Sequence, residues 1–86
     1  MGEINLREEA SVIADQLYQA YENYGHEYDD DDLYAVADEH INEWLEPTDV
    51  DIWNRAKDFI QTNYSVADIY VMSPEQFEGI LRTALR

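Results

Sequence analysis

Cysteine is absent from this chain, which excludes disulfides and thiolate metal centres and fits a reducing compartment, so the expected location is the cytoplasm. Long hydrophobic runs are absent too. No segment approaches the roughly 18 consecutive apolar residues that a membrane span needs. The opening Met1-Gly2-Glu3-Ile4-Asn5 lacks the basic stretch and apolar run of a secretory leader, so the chain is expected to be used whole. Gly2 alone does not predict a lipid anchor, because Glu3 follows it and no polybasic patch supports it.

Positive charge is the scarcest property. Five Lys and Arg face twenty Asp and Glu, for a formal charge of −15. Phosphate backbones and anionic lipid surfaces would be repelled, which excludes nucleic acid and membranes as direct ligands. Catalytic patterns are also missing. There is no cysteine nucleophile, no glycine-rich phosphate loop and no His-Glu zinc motif, and the serines at 11, 65 and 73 have capping or helix-surface explanations. An enzyme is not expected, nor is a cofactor. The run Asp29 to Asp32, beside His26 and Glu27, fails the calcium-loop pattern: counted from Asp29, the sixth and twelfth places hold Tyr34 and His40, where glycine and a carboxylate are needed. No metal site is predicted.

What is present argues for a folded domain. Eighty-six residues suffice for one core, and a 45% hydrophobic, 13% aromatic composition is too rich in buriable surface for a chain disordered by charge. Leu6, Ala10, Ile13, Leu17, Ala20 and Tyr24 recur at helical spacing, predicting a first helix from about Asn5 to Tyr24 that Gly25 stops. Aspartates between His26 and Asp31 are placed to cap a second helix, whose stripe is Leu33, Val36, Ala37, His40, Ile41, Trp44 and Leu45 and which Pro47 ends.

A third helix is predicted from about Asp49 to Thr62, capped by Thr48 or Asp49, with Val50, Trp53, Ala56, Lys57, Phe59 and Ile60 inward and Asn54, Arg55 and Asp58 outward. The segment 66–72 is β-branched enough for a strand, but a lone strand has no pairing partner and Ser65 can cap a helix, so a short helix is favoured. Ser73-Pro74-Glu75-Gln76 is a helix start of N-cap, N1 proline and capping box, followed by the stripe Phe77, Ile80, Leu81, Ala84 and Leu85. The expected fold is all-α, a single irregular bundle of four helices plus one short helix.

The charge is unevenly placed. Fifteen carboxylates lie from Glu8 to Asp51, with no Lys or Arg between Arg7 and Arg55, whereas four basic and four acidic residues share the rest of the chain from Arg55. Glu8, Asp15 and Glu22 are seven apart on the first helix; Asp32, Glu39 and Glu46 repeat the spacing on the second. Each step is about 10.5 Å of helix, so each set forms a carboxylate row opposite the apolar stripe. Glu9, Asp38 and Glu43 broaden the rows, and Asp29, Asp30, Asp31 and Asp32 form a dense joining cluster.

Surface helices are normally charged, but they interleave Lys or Arg; like charges at helical spacing destabilise. Solubility or salt adaptation competes with function as the reason, although halophily would acidify the second half as well. Among the tyrosines of this half, Tyr24 and Tyr21 are assigned to the core, and Tyr18 and Tyr28 to exposed contacts.

In size and charge distribution the chain resembles the small acidic DNA-mimic inhibitors that phages and mobile elements use against restriction or CRISPR systems. That resemblance implies a basic protein partner that itself binds nucleic acid. The predicted contact residues are Glu8, Asp15, Tyr18, Glu22, Tyr28, Asp29 to Asp32, Glu39, Glu43 and Glu46. An immunity-type antitoxin that caps a basic nuclease toxin, or a helical adaptor with incidental acidity, are the alternatives.

Overall fold

Local capping sets the element boundaries of the computed structural model, which describes residues 5–86. The reading of the stretch Met1 to Ile4 lies outside those residues. Asn5 caps α1 (Leu6–Tyr24) by accepting from the Glu8 backbone N–H. Gly25 ends it in the right-handed region, with its N–H donating to the Tyr21 carbonyl. Glycine is needed there because a Cβ would collide with the Tyr21 carbonyl oxygen, not because the backbone is left-handed. Asp29 caps α2 (Asp30–Trp44), its carboxylate accepting from Asp32 N–H at 3.0 Å. The next three aspartates occupy the first turn, where the helix dipole favours negative charge.

Pro47 does two things. It stops α2, and it sits at the first position of α3 (Pro47–Asn63), where its missing N–H costs nothing. The third helix therefore starts two residues before the predicted Asp49, with Glu46 as its N-cap; neither Thr48 nor Asp49 is the cap. Asp49 instead is buried, 6% exposed, in the first turn. The ambiguous segment is helical: α4 (Val66–Tyr70) carries a capping box between Ser65 and Asp68. Val71 and Met72 fall outside it, in the turn before α5 (Pro74–Ala84). The second capping box forms as predicted, with Ser73 N–H donating to Gln76 Oε1 at 3.0 Å and Gln76 N–H to Ser73 Oγ at 3.3 Å. The fold is an all-α bundle with no strand among the described residues.

α1 is the hub, packing on every other helix. A single core gathers Ala10, Ile13, Ala14 and Leu17 of α1 with Leu33, Tyr34 and Ile41 of α2, Ile52, Trp53 and Ile60 of α3, Val66 and Ile69 of α4, and Phe77 and Leu81 of α5. The predicted stripes are corrected at their edges. Tyr24 is 37% exposed, His40 is exposed, and Trp44 is 76% exposed, whereas Tyr34 and Ile52 are buried. On α2 the buried face is thus turned from the His40 side toward Tyr34, because α2 is packed by α3 and α4 as well as α1. Val50, Lys57 and Phe59 are only half-buried, as Ile52 takes the inward place on α3.

Tyr34 has a polar end to satisfy. Its hydroxyl donates to the Tyr64 carbonyl at 2.7 Å, and burial, together with the charges of Asp30 and Asp68, pushes its pKa far above the ordinary value. An unfolded tyrosine loses its proton near pH 10, so above that pH the unfolded chain binds fewer protons than the folded one and stability falls as pH rises. We expect Tyr34 to contribute about 1 kcal/mol to the stability lost between pH 9 and 11. Urea midpoints at the two pH values, compared with those of Tyr34→Phe, measure this; an equal loss in the variant would reject it.

Candidate acidic surface

The carboxylates identified from spacing meet different fates. Glu8, Asp15 and Glu22 are all exposed along α1, as are Asp32, Glu39 and Glu43 on α2. Seven residues bring a helix to about 20° short of two full turns, so each row stays close to the side opposite its buried stripe. The second row is nevertheless shorter than predicted. α2 ends at Trp44, and Glu46 belongs to the start of α3, exposed but not on the α2 row.

Some acids are committed to the fold. Asp29 is the α2 cap, and half-buried Asp30 accepts from the Val66 N–H at 2.7 Å, tying the first turn of α2 to the first turn of α4. Of the joining cluster, Asp31 and Asp32 remain with exposed carboxylates. Asp38, predicted to broaden the row, instead faces α3. Its Oδ1 accepts from Trp53 Nε1 at 2.8 Å, from Lys57 Nζ at 3.1 Å and from Asn42 Nδ2 at 3.2 Å. Glu9 also leaves the row: it is half-buried, and its Oε2 is shut off from solvent with no hydrogen-bond partner among the described residues.

The chain's own cations do not neutralise the rows. Arg7 pairs with Glu75 at 2.6 Å, Arg55 with Asp51 at 3.5 Å, Lys57 with Asp38 at 3.1 Å, and Arg82 with Glu78. Among the described residues, no ion pair involves Glu8, Asp15, Glu22, Asp31, Asp32, Glu39, Glu43 or Glu46. The hydrogen bonds they accept are from neutral groups: Asp15 takes one from Gln19 Nε2 at 2.7 Å and Glu22 one from the Tyr70 hydroxyl at 3.2 Å. The bond to Glu22, and then its charge, raise the pKa of Tyr70.

The tyrosines divide as well. Tyr18, predicted to be an exposed contact, is half-buried; its hydroxyl donates to the Met72 carbonyl at 2.9 Å and its ring meets Tyr70 edge-on. Burial first and Asp15 second raise its pKa. Tyr18 therefore fastens α1 to the turn after α4. Tyr28 is exposed as predicted and lies flat against Tyr24, with ring centroids 5.0 Å apart and planes 9° from parallel.

The sequence pattern missed Trp44, whose helical spacing mimics a buried position although it is exposed, with Leu45 next to it packing against the core instead. It also missed a groove between α1 and α2, lined by Gln16, Gln19, Asn23 and Tyr24 from one helix and Val36 and His40 from the other. Single-helix patterns carry no signal for a groove made by two helices. No three His, Asp or Glu side chains among the described residues converge to hold a metal ion, and no described helix is long and apolar enough to cross a membrane.

Comparison with protein-family models, with curated proteins and with solved structures finds no match to this chain.

Proposed function

We propose that the protein is an acidic binding protein that mimics the charge of nucleic acid and inhibits a basic nucleic-acid-binding protein, such as a target of phage or mobile-element anti-restriction or anti-CRISPR proteins. One observation carries this reading: the exposed carboxylates of α1 and α2 have no ion-pair partner among the described residues, while four of the five basic residues are paired elsewhere. Unneutralised self-repulsion at these positions costs stability that a mixed surface would recover.

The spacing suits the role. A heptad step of about 10.5 Å lays the carboxylates out as an extended row along one side of each helix instead of a single cluster. A groove whose Lys and Arg accommodate phosphates can accept such a row, with complementary charge accelerating encounter.

The test is association with a basic nucleic-acid-binding protein from the native host. Mimicry predicts an affinity at least about tenfold weaker at 200 mM than at 50 mM salt, and displacement of the protein by duplex DNA. Salt-independent binding would reject mimicry in favour of an adaptor. Salt-sensitive binding to a nuclease that DNA does not displace would point instead to an antitoxin that caps the enzyme away from its substrate channel.

A further inference from the structure

We infer that the groove between α1 and α2 receives an arginine side chain of the partner, with Tyr24 as its stacking surface and the carboxamides of Gln16, Gln19 and Asn23 as its acceptors. This rests on the reading of the acidic surface as the binding face and names what that face recognises. The groove is shallow, with a cavity volume of about 40 Å³, far below the roughly 300–1,000 Å³ usual for small-molecule pockets and with room for a few water-sized groups, as in the planar head of one side chain.

The lining selects among side chains. No carboxylate lines the groove itself, so its specificity is not a matter of charge alone. Three carboxamides offer neutral acceptors spread along one wall, and Gln19 is held in place by donating its Nε2–H to Asp15. That bond leaves the Gln19 Oε1 lone pairs for a donor from outside. A guanidinium has five N–H donors in one plane, whereas an ammonium is a strongly hydrated point charge.

The aromatic wall makes the same distinction. Tyr24 lines the groove, and its ring stacks on Tyr28, a neighbour that restrains it. Planar guanidinium groups stack on aromatic faces. The rows on both helices supply the negative field that brings the cation there: Asp15 and Glu22 share α1 with the carboxamides, and Glu39 and Glu43 flank His40 on α2. Among the described residues, no ion pair places a cation on a groove residue.

The test uses acetylated, amidated hexapeptides of arginine and of lysine, titrated into the ¹⁵N-labelled protein at pH 8 and 50 mM salt. The arginine peptide is expected to bind about three- to fivefold more tightly, with the largest side-chain amide shifts at Gln16, Gln19 and Asn23. Tyr24→Leu should erase the preference, bringing the affinity for the arginine peptide down to the one the same variant shows for the lysine peptide. Gln16→Ala and Asn23→Ala, at positions outside the core, should each reduce it. Equal, salt-sensitive binding of both peptides would overturn the groove assignment and leave the acidic binding face standing. Retention of the arginine preference in Tyr24→Leu would also overturn it, and failure of both peptides to bind would overturn the groove and the acidic face together.

Discussion

Replacing Glu8, Asp15, Glu22, Asp32 and Glu39 together by lysine is expected to weaken association with the basic partner by at least about 100-fold at low salt while leaving the protein folded, because like charges facing each other across an interface cost several kcal/mol. Every one of these side chains is exposed, and none is part of an ion pair among the described residues. Lysine is as good a helix former as glutamate and better than aspartate, and only Glu8 and Asp32 lie in a first turn, where the swap costs about 0.3–1 kcal/mol each of dipole interaction, so the helices should persist. The five changes lie on the two helices that carry the rows, whereas the capping aspartate Asp29 and the bridging Asp30 are left in place. Far-UV circular dichroism should therefore be unchanged.

A second readout separates loss of binding from loss of structure. The natural protein, at a formal charge of −15, should gain thermal stability as salt rises from low ionic strength, since screening relieves self-repulsion. The reversed variant should gain less. If the variant binds the partner with unchanged affinity, the carboxylate rows have no role in recognition and the mimicry reading fails, whatever the stability data show.

Trp53→Ala should produce the largest loss of stability from a single change, about 3–5 kcal/mol. For a domain of 86 residues the total is on the order of 4–13 kcal/mol, so at the lower end of that range the variant would be partly unfolded at 37 °C. The reason is the number of functions this side chain combines. Trp53 is fully buried and is the largest of the fully buried side chains. It packs beside Tyr34, with ring centroids 6.5 Å apart, and its indole N–H donates to Asp38.

Truncation opens a cavity where α3 meets the core and removes one of the donors that hold Asp38 in its network. Trp53→Phe keeps most of the apolar contact and should cost less, about 1–2 kcal/mol, chiefly through the lost hydrogen bond and the smaller ring. Urea denaturation followed at 222 nm measures both. In each variant Trp44 remains as the sole indole, and because it is largely exposed its emission should lie at long wavelength already in the folded state. A loss in Trp53→Ala no larger than in Trp53→Phe would show that the site collapses without a cavity.

How much of this was legible beforehand depended on whether the physics was local. Helix ends are local, and Asn5, Asp29, Ser65 and Ser73 act as caps through bonds to residues three positions away. Ala10, Ile13, Leu17 and Ile41 are buried as their spacing implies. The exposed rows of α1 and α2 are legible for the same reason, since a residue opposite an apolar stripe is turned outward by helix geometry.

The misreadings share a different cause. Pro47 reads from the sequence as a terminator alone, but it ends one helix and begins the next, which places Glu46 off the second row. Periodicity defines a stripe without saying how wide it is or where its neighbours end, so it points Trp44 and Tyr24 inward and leaves out Tyr34, the reverse of their burial. Tyr18 and Asp38 looked like surface groups until α4 and α3 supplied the Met72 carbonyl and the Trp53 indole that hold them.

The amino-acid sequence by itself thus determined the helical class, most of the boundaries and the acidity of the first half, because each depends on neighbours within a turn or two of helix. Only the tertiary structure decided which carboxylates are free. Burial, cross-helix hydrogen bonds and the placing of ion pairs among the described residues away from α1 and α2's exposed rows depend on which helices meet. The groove between those two helices likewise exists only once they pack together.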